Sequence, residues 1–215
     1  MTEPMTDPRR WPKGPGLFTA GAMAAGVLLS GCTPTDQGTE AGEAPYLAVP
    51  GSPMAAPEYE FTTTEGAPWS FTGATEDRIT LLYFGYTSCP DVCPTTMADI
   101  SDALTRIGGK ADQVDVVMVS TDPERDTDEQ LGTWLRGFDP GFDGVRGPVD
   151  DVVAAALAYG IPVEAPATEG GDYLVTHGGR VAVLRPGGDA VGFFDEGTSG
   201  AQMSGTLPRL IDEWL

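Results

Sequence analysis

Basic side chains are scarce in this chain. Lysine and arginine together number 12 against 32 aspartates and glutamates, a formal charge of −20. Such a surface repels phosphate backbones, which argues against nucleic acid as a partner. Histidine occurs once, at position 177, and cysteine three times, at 32, 89 and 93. So few cysteines, two of them four residues apart, cannot build a structural disulfide framework. Beyond the N-terminus no apolar run reaches the roughly 18–20 residues that span a bilayer, so only the N-terminus is expected to touch a membrane. The length, 215 residues, suits one compact domain with appendages.

What the N-terminus does contain reads as an address. Arg9, Arg10 and Lys13 precede an apolar stretch rich in alanine and glycine from Gly16 to Leu29, and Leu29-Ser30-Gly31-Cys32 follows. That order resembles the lipobox of bacterial lipoproteins, in which the cysteine is acylated and becomes the new first residue. Residues 1–31 are therefore expected to be a lipoprotein signal peptide and Cys32 the lipid attachment site, on the outer face of a bacterial cell membrane. A core helix is the alternative, but Thr33-Pro34-Thr35-Asp36-Gln37-Gly38 cannot continue one. A signal peptide cleaved elsewhere is a second alternative, and Arg9-Arg10 hints weakly at a twin-arginine route. Removing Glu3, Asp7, Arg9, Arg10 and Lys13 takes away a net +1, so the mature charge is −20 − 1 = −21. Residues 32–58 are full of Pro, Ala, Gly, Ser, Thr and Glu and read as a disordered tether, spanning roughly 25–30 Å.

The domain proper, residues 59–215, opens with a hairpin expected around Glu65-Gly66-Ala67-Pro68. Arg78 to Tyr86 is a continuous apolar run, the pattern of a strand buried on both faces. A helix is expected to run to about Ile107, where Gly108-Gly109 stops it, and Val114 to Ser120 is a second buried strand. Thr127 and Gln130 fit a capping box opening a helix to about Arg136, and Pro148 begins another, with Val152, Val153, Ala156 and Tyr159 on one face. Strands at Arg180–Leu184 and Ala190–Phe194 join across Pro186-Gly187-Gly188-Asp189, and a last helix carries Leu207, Leu210, Ile211 and Trp214. Parallel strands early and an antiparallel hairpin late imply an α/β fold. It is thioredoxin-like, a central mixed sheet flanked by helices with an additional N-terminal β-hairpin.

Cys89 and Cys93 fall where a buried strand gives way to a helix, the end of an α/β sheet where functional groups gather. Free N–H groups there are expected to lower a thiol pKa, and the i, i+4 spacing to put both sulfurs on one helical face. The pair could close into a disulfide or bind one soft metal ion. Two thiolates with an imidazole suit copper, whereas zinc usually takes a fourth protein ligand in a structural site. On residue type alone, though, a lone histidine is more often a surface or satisfied core residue than a ligand. Asp91 and Asp122 are candidates for tuning a metal, but a helix cap and a turn explain them as well. Tyr83, Phe84 and Tyr86 read most simply as core.

Three blocks resemble the Sco/SenC family: Tyr83-Phe84-Gly85-Tyr86-Thr87-Ser88-Cys89-Pro90-Asp91-Val92-Cys93-Pro94, then Ser120-Thr121-Asp122-Pro123-Glu124-Arg125-Asp126-Thr127, then Asp172-Tyr173-Leu174-Val175 leading to His177. The resemblance covers about Tyr59 to Leu215. It implies a thioredoxin fold, copper bound through Cys89, Cys93 and His177, and a role in maturing the dinuclear copper centre of cytochrome c oxidase. One departure stands out. The family commonly has an acidic residue before this histidine and a serine after it, whereas Thr176 and Gly178-Gly179 stand here; the glycine pair is expected to loosen the loop.

The resemblance thus implies a copper metallochaperone without substrate turnover, acting on the oxidase's copper-centre subunit and tied to the membrane through its lipid. A thiol–disulfide reductase acting on the oxidase subunit's cysteines, with Cys89 and Cys93 as the redox pair, is the alternative. A peroxidase on the same fold ranks below both, because no arginine neighbours the cysteines in sequence.

Overall fold

The computed structural model describes residues 46–73, 77–167 and 173–215. The signal peptide, Cys32 and Asp172 lie outside the described residues.

The run from Arg78 forms β4 (Ile79–Gly85), with every residue buried, and Val114–Ser120 forms β5 beside it in parallel, Ile79 opposite Val114 through Gly85 opposite Ser120. Alternation along these strands divides the core into two layers. Ile79, Leu81, Tyr83, Val116 and Met118 face α1 (Val92–Ile107) and α4 (Gly200–Trp214), packing on Met97, Ile100, Met203, Leu207 and Leu210. Leu82, Phe84, Val117 and Val119 face α3 (Val149–Ala158), packing on Val152, Ala155 and Ala156. Each fully buried Leu or Ile contributes about 1.5–3 kcal/mol, and a strand buried on both faces needs both helical layers.

Antiparallel β7 (Val181–Leu184) and β8 (Ala190–Phe194) continue the sheet beyond β4. The expected early hairpin is β2 (Glu60–Thr63) and β3 (Pro68–Ser70), with Phe61 opposite Trp69. The capping box at Thr127 and Gln130 opens α2 (Asp128–Arg136), and a second, Ser199 with Gln202, opens α4. The β4–α1–β5 unit, joined to β7–β8–α4, is the thioredoxin-like arrangement expected.

Two strands were not expected from the pattern. Tyr46–Ala48 forms β1, pairing antiparallel with β8, and Met54 bridges to Ala190. Residues 46–58, read above as the latter half of a tether, therefore begin the folded body. Phe142–Arg146 forms β6, parallel to β5, completing the order β1-β8-β7-β4-β5-β6-β2-β3. Its Gly144 lets α2 close over the sheet: a Cβ there would stand 2.7 Å from Leu131. Among the described residues no helix is long and apolar enough to cross a membrane.

Candidate metal centre

The donors gather at the carboxyl end of β4, where the chain turns through residues 86–91 into α1. Only Cys93 lies in the helix, as its second residue, and Cys89 precedes it. The sulfurs therefore do not share a helical face. Instead the Cys93 backbone N–H donates to Cys89 Sγ at 3.4 Å, so the thiol serves a free N–H of the first turn. Asp91 stands at the N-cap position, but its side chain makes no capping bond; only its backbone carbonyl is used, by Thr95. Both cysteines are free thiols, Cys89 half-buried and Cys93 fully buried. Gly85 makes room for them, since a Cβ there would stand 3.0 Å from Cys93 Sγ and 2.6 Å from the Tyr83 ring.

His177 arrives from 84 residues away and points Nε2 at Cys93 Sγ, 3.4 Å distant. Its ring stands edge-on to both Tyr83 and Tyr86, centroids 5.9 and 5.7 Å away. These tyrosines are core, as read from the sequence, and they also wall the imidazole. Tyr83 additionally donates its hydroxyl to Cys93 Sγ at 3.6 Å. Nδ1 lies 3.4 Å from the Gly178 carbonyl, which orients the ring with Nε2 as the ligand atom. The donor atoms of Cys89, Cys93 and His177 all lie within 4.8 Å of one another. Three donors about 2.0–2.3 Å from one first-row ion stand roughly 3.5–4 Å apart, so small side-chain rotations close this set on an ion.

Burial governs the protonation states. It pushes the Cys93 thiol up to about 12, overturning the expectation of a lowered thiol pKa: loss of solvent at a fully buried sulfur outweighs the helix end. Burial also lowers the His177 pKa, which keeps the imidazole neutral and able to ligate.

The loop that carries His177 is pinned rather than loosened. Val163 and His177 form a β-bridge, Glu164 N–H donates to the Thr176 carbonyl at 2.9 Å, and Gly178 N–H to the Pro162 carbonyl at 2.7 Å. Gly178 answers to space, because a Cβ there would stand 3.0 Å from the Pro162 ring. Neither Gly178 nor Gly179 has positive φ.

The second block supplies residues that residue pattern left without a role. Asp126, fully buried, accepts from Thr87 N–H at 3.2 Å, Thr87 Oγ1 at 2.5 Å and Ser120 Oγ at 2.6 Å, fixing the loop two residues before Cys89. Asp122, also buried, is not among the gathered donors. It pairs with Arg125 and accepts the Tyr173 hydroxyl at 2.8 Å. Arg125, Asp126 and Tyr173 all lie within the blocks that carry the family resemblance, which was the only signal pointing to them.

Fold and site together define a thioredoxin-like protein with two thiols and an imidazole converging at the end of its sheet. The family model described as SCO1/SenC matches residues 49–212. A candidate copper-binding protein of Stutzerimonas stutzeri is 33% identical over 160 residues, covering 74% of this chain and 78% of its own. The human mitochondrial SCO1 homolog is 31% identical over 156 residues, covering 66% of this chain but only 51% of its own length, so this chain spans about half of that relative. ScoI of Bradyrhizobium japonicum, solved with copper bound, superposes with a TM-score of 0.64 at 28% identity over 75% of this chain and 99% of that one. The chain belongs to the SCO1/SenC family.

Proposed function

We propose that this chain carries a copper ion as cargo on Cys89, Cys93 and His177 and passes it to the copper-centre subunit of cytochrome c oxidase. The observation that carries the reading is the convergence of those donor atoms within 4.8 Å. Two sulfurs with one nitrogen form a donor set suited to copper in either oxidation state, and three protein donors leave a coordination position open for transfer. The membrane attachment read from Cys32 belongs to the same proposal: a lipid anchor on the outer face of a bacterial membrane would hold the carrier beside a membrane-embedded oxidase. Metal analysis of the reduced protein after copper loading tests it. One equivalent per chain, with sulfur-to-copper charge-transfer absorption in the copper(II) form, is expected; sub-stoichiometric or absorption-silent copper overturns the reading.

Binding is expected to strengthen with pH. The Cys93 thiol, held up to about 12, is protonated in the metal-free protein at neutral pH, and copper must displace that proton. Burial lowers the His177 pKa, so its imidazole competes less for a proton than a free one would. Apparent affinity is therefore expected to rise about tenfold per pH unit from this thiol alone between pH 6 and 8, measured by competition with a chelator whose own pH dependence is known. A flat profile would contradict a protonated Cys93.

A second reading, thiol–disulfide exchange on the oxidase subunit, is favoured by the unequal exposure of the two thiols. The half-buried Cys89 thiolate would attack the partner's disulfide, and the buried Cys93 would then displace the partner from the mixed disulfide. Two electrons and two protons pass to the partner, leaving Cys89–Cys93 oxidised.

A further inference from the structure

The His177 arm is tied to the second block by a compact set of polar and ring contacts that the donor set itself does not require. Tyr173, four residues before His177, donates its hydroxyl to Asp122 Oδ1 at 2.8 Å. Arg125 pairs with the other oxygen of Asp122, donates Nη2–H to the Tyr173 carbonyl at 3.1 Å, and stacks over the Tyr173 ring, 3.7 Å from its centroid. The same guanidinium lies 5.6 Å from the Tyr86 ring centroid. Tyr86 in turn accepts the Val175 N–H on its hydroxyl at 3.3 Å, two residues before His177. The contacts thus link all three sequence blocks; those to Tyr173 and Val175 reach the arm, and none is to a sulfur.

Asp122 is buried, and such a carboxylate persists only if it is paired and hydrogen-bonded. The carboxylate's partners are Arg125 and the Tyr173 hydroxyl, while the Asp122 backbone N–H donates to Ser120 Oγ at 3.1 Å. The guanidinium is planar and forked, so one arginine can stack on the ring, pair with the carboxylate and bond the carbonyl at once. Leu174, between the clasped tyrosine and the bonded Val175, is 72% exposed, so apolar burial does not hold that residue down. The buried Val175 side chain anchors the arm in the core as well, and the directional contacts fix Tyr173 beside it.

We propose that Asp122, Arg125 and Tyr173 form a clasp that positions His177 over the two sulfurs and thereby sets how strongly the site prefers copper(II) over copper(I). The proposal rests on the copper reading above. Closed, the clasp presents three donors. Opened, it lets the imidazole withdraw and leaves two sulfurs, a set that suits soft copper(I) and holds copper(II) poorly. These are positioning residues: none touches the metal.

The test compares Tyr173→Phe, Tyr173→Ala and Arg125→Gln with the parent and with His177→Ala. Tyr173→Phe removes one hydrogen bond and keeps the ring. Copper(II) affinity is expected to fall about tenfold or more in Tyr173→Ala and Arg125→Gln, and less in Tyr173→Phe, as for other outer partners of ligands. Copper(I) affinity should stay within about threefold of the parent, a residual of the order seen between sites without shared partners. Nitrogen hyperfine coupling in the copper(II) spectrum should weaken in parallel. In the metal-free protein, hydrogen exchange at the Val175 amide should quicken while the α1 amides stay unchanged, a readout independent of copper. Equal losses of copper(I) and copper(II), or unchanged nitrogen coupling and Val175 exchange, overturn the clasp. If His177→Ala itself leaves copper(II) binding intact, the three-donor reading falls first. Val175 exchange still judges whether the clasp holds the arm.

Discussion

Replacing His177 by alanine is expected to weaken copper(II) binding by more than about 100-fold, because even partners outside the first ring of ligands cost 10–100-fold when removed. The cysteine couple should stay within about 30 mV of the parent, since a neutral imidazole places no charge beside either sulfur and takes no part in thiol–disulfide exchange. The separation of those two effects is what makes the variant informative. A ring held 3.4 Å from Cys93 Sγ and walled by two tyrosines has a role in a metal site that thiol exchange does not require. Chelator competition and a thiol redox titration on the same preparation measure both quantities. An unaltered copper(II) affinity would remove the carrier reading and leave the dithiol chemistry standing.

Asp126→Ala is expected to destabilise the reduced, metal-free protein by about 3 kcal/mol, within the range for breaking a buried charged hydrogen-bond hub. The substitution strands the Thr87 N–H, the Thr87 hydroxyl and the Ser120 hydroxyl at once, and leaves a cavity under the loop that ends at Cys89. Asp126→Asn keeps the volume and one acceptor, so a smaller loss is expected. Urea unfolding with an unchanged slope reads the difference. A loss below about 1 kcal/mol in the alanine variant, typical of an exposed site, would show that the hub is dispensable. Burial raises the Asp126 pKa despite these three donors. The carboxylate therefore sits where solvent is missed more than the hydrogen bonds repay.

Local signals made most of the fold legible. The apolar runs of β4 and β5, the Gly108-Gly109 stop of α1 and the Thr127–Gln130 box are all written within a few residues of the element they define. β1 and β6 are not. Tyr46–Ala48 has an intermediate and two exposed residues, and Phe142–Arg146 carries Asp143, Gly144 and Arg146. Each is a strand because β8 or β5 offers it an unpaired edge, a fact of tertiary structure that no window of sequence contains. The site divides the same way. Cys89 and Cys93 were visible as a pair, whereas His177 needed the family resemblance to stand out from an ordinary histidine. Tyr173 and Arg125 meet across 48 residues, beyond the range of pattern. The thiol acidity expected from a helix start failed because position along a helix is readable and depth in the core is not.

The direction of β1 sets where the chain enters the folded body. Tyr46 stands level with Phe194, Phe194 with Val181, and Val181 with Tyr83, so the chain enters the sheet at the same end from which β4 delivers the cysteines. The entry point is three strand spacings, about 14 Å, sideways from β4. Were Cys32 the lipid attachment site proposed above, the stretch to Tyr46 could span at most about 50 Å, against about 90 Å for a tether lasting to Glu58. Under the proposed anchor, so short a link joined at the donor end would keep the sulfurs within reach of the membrane surface.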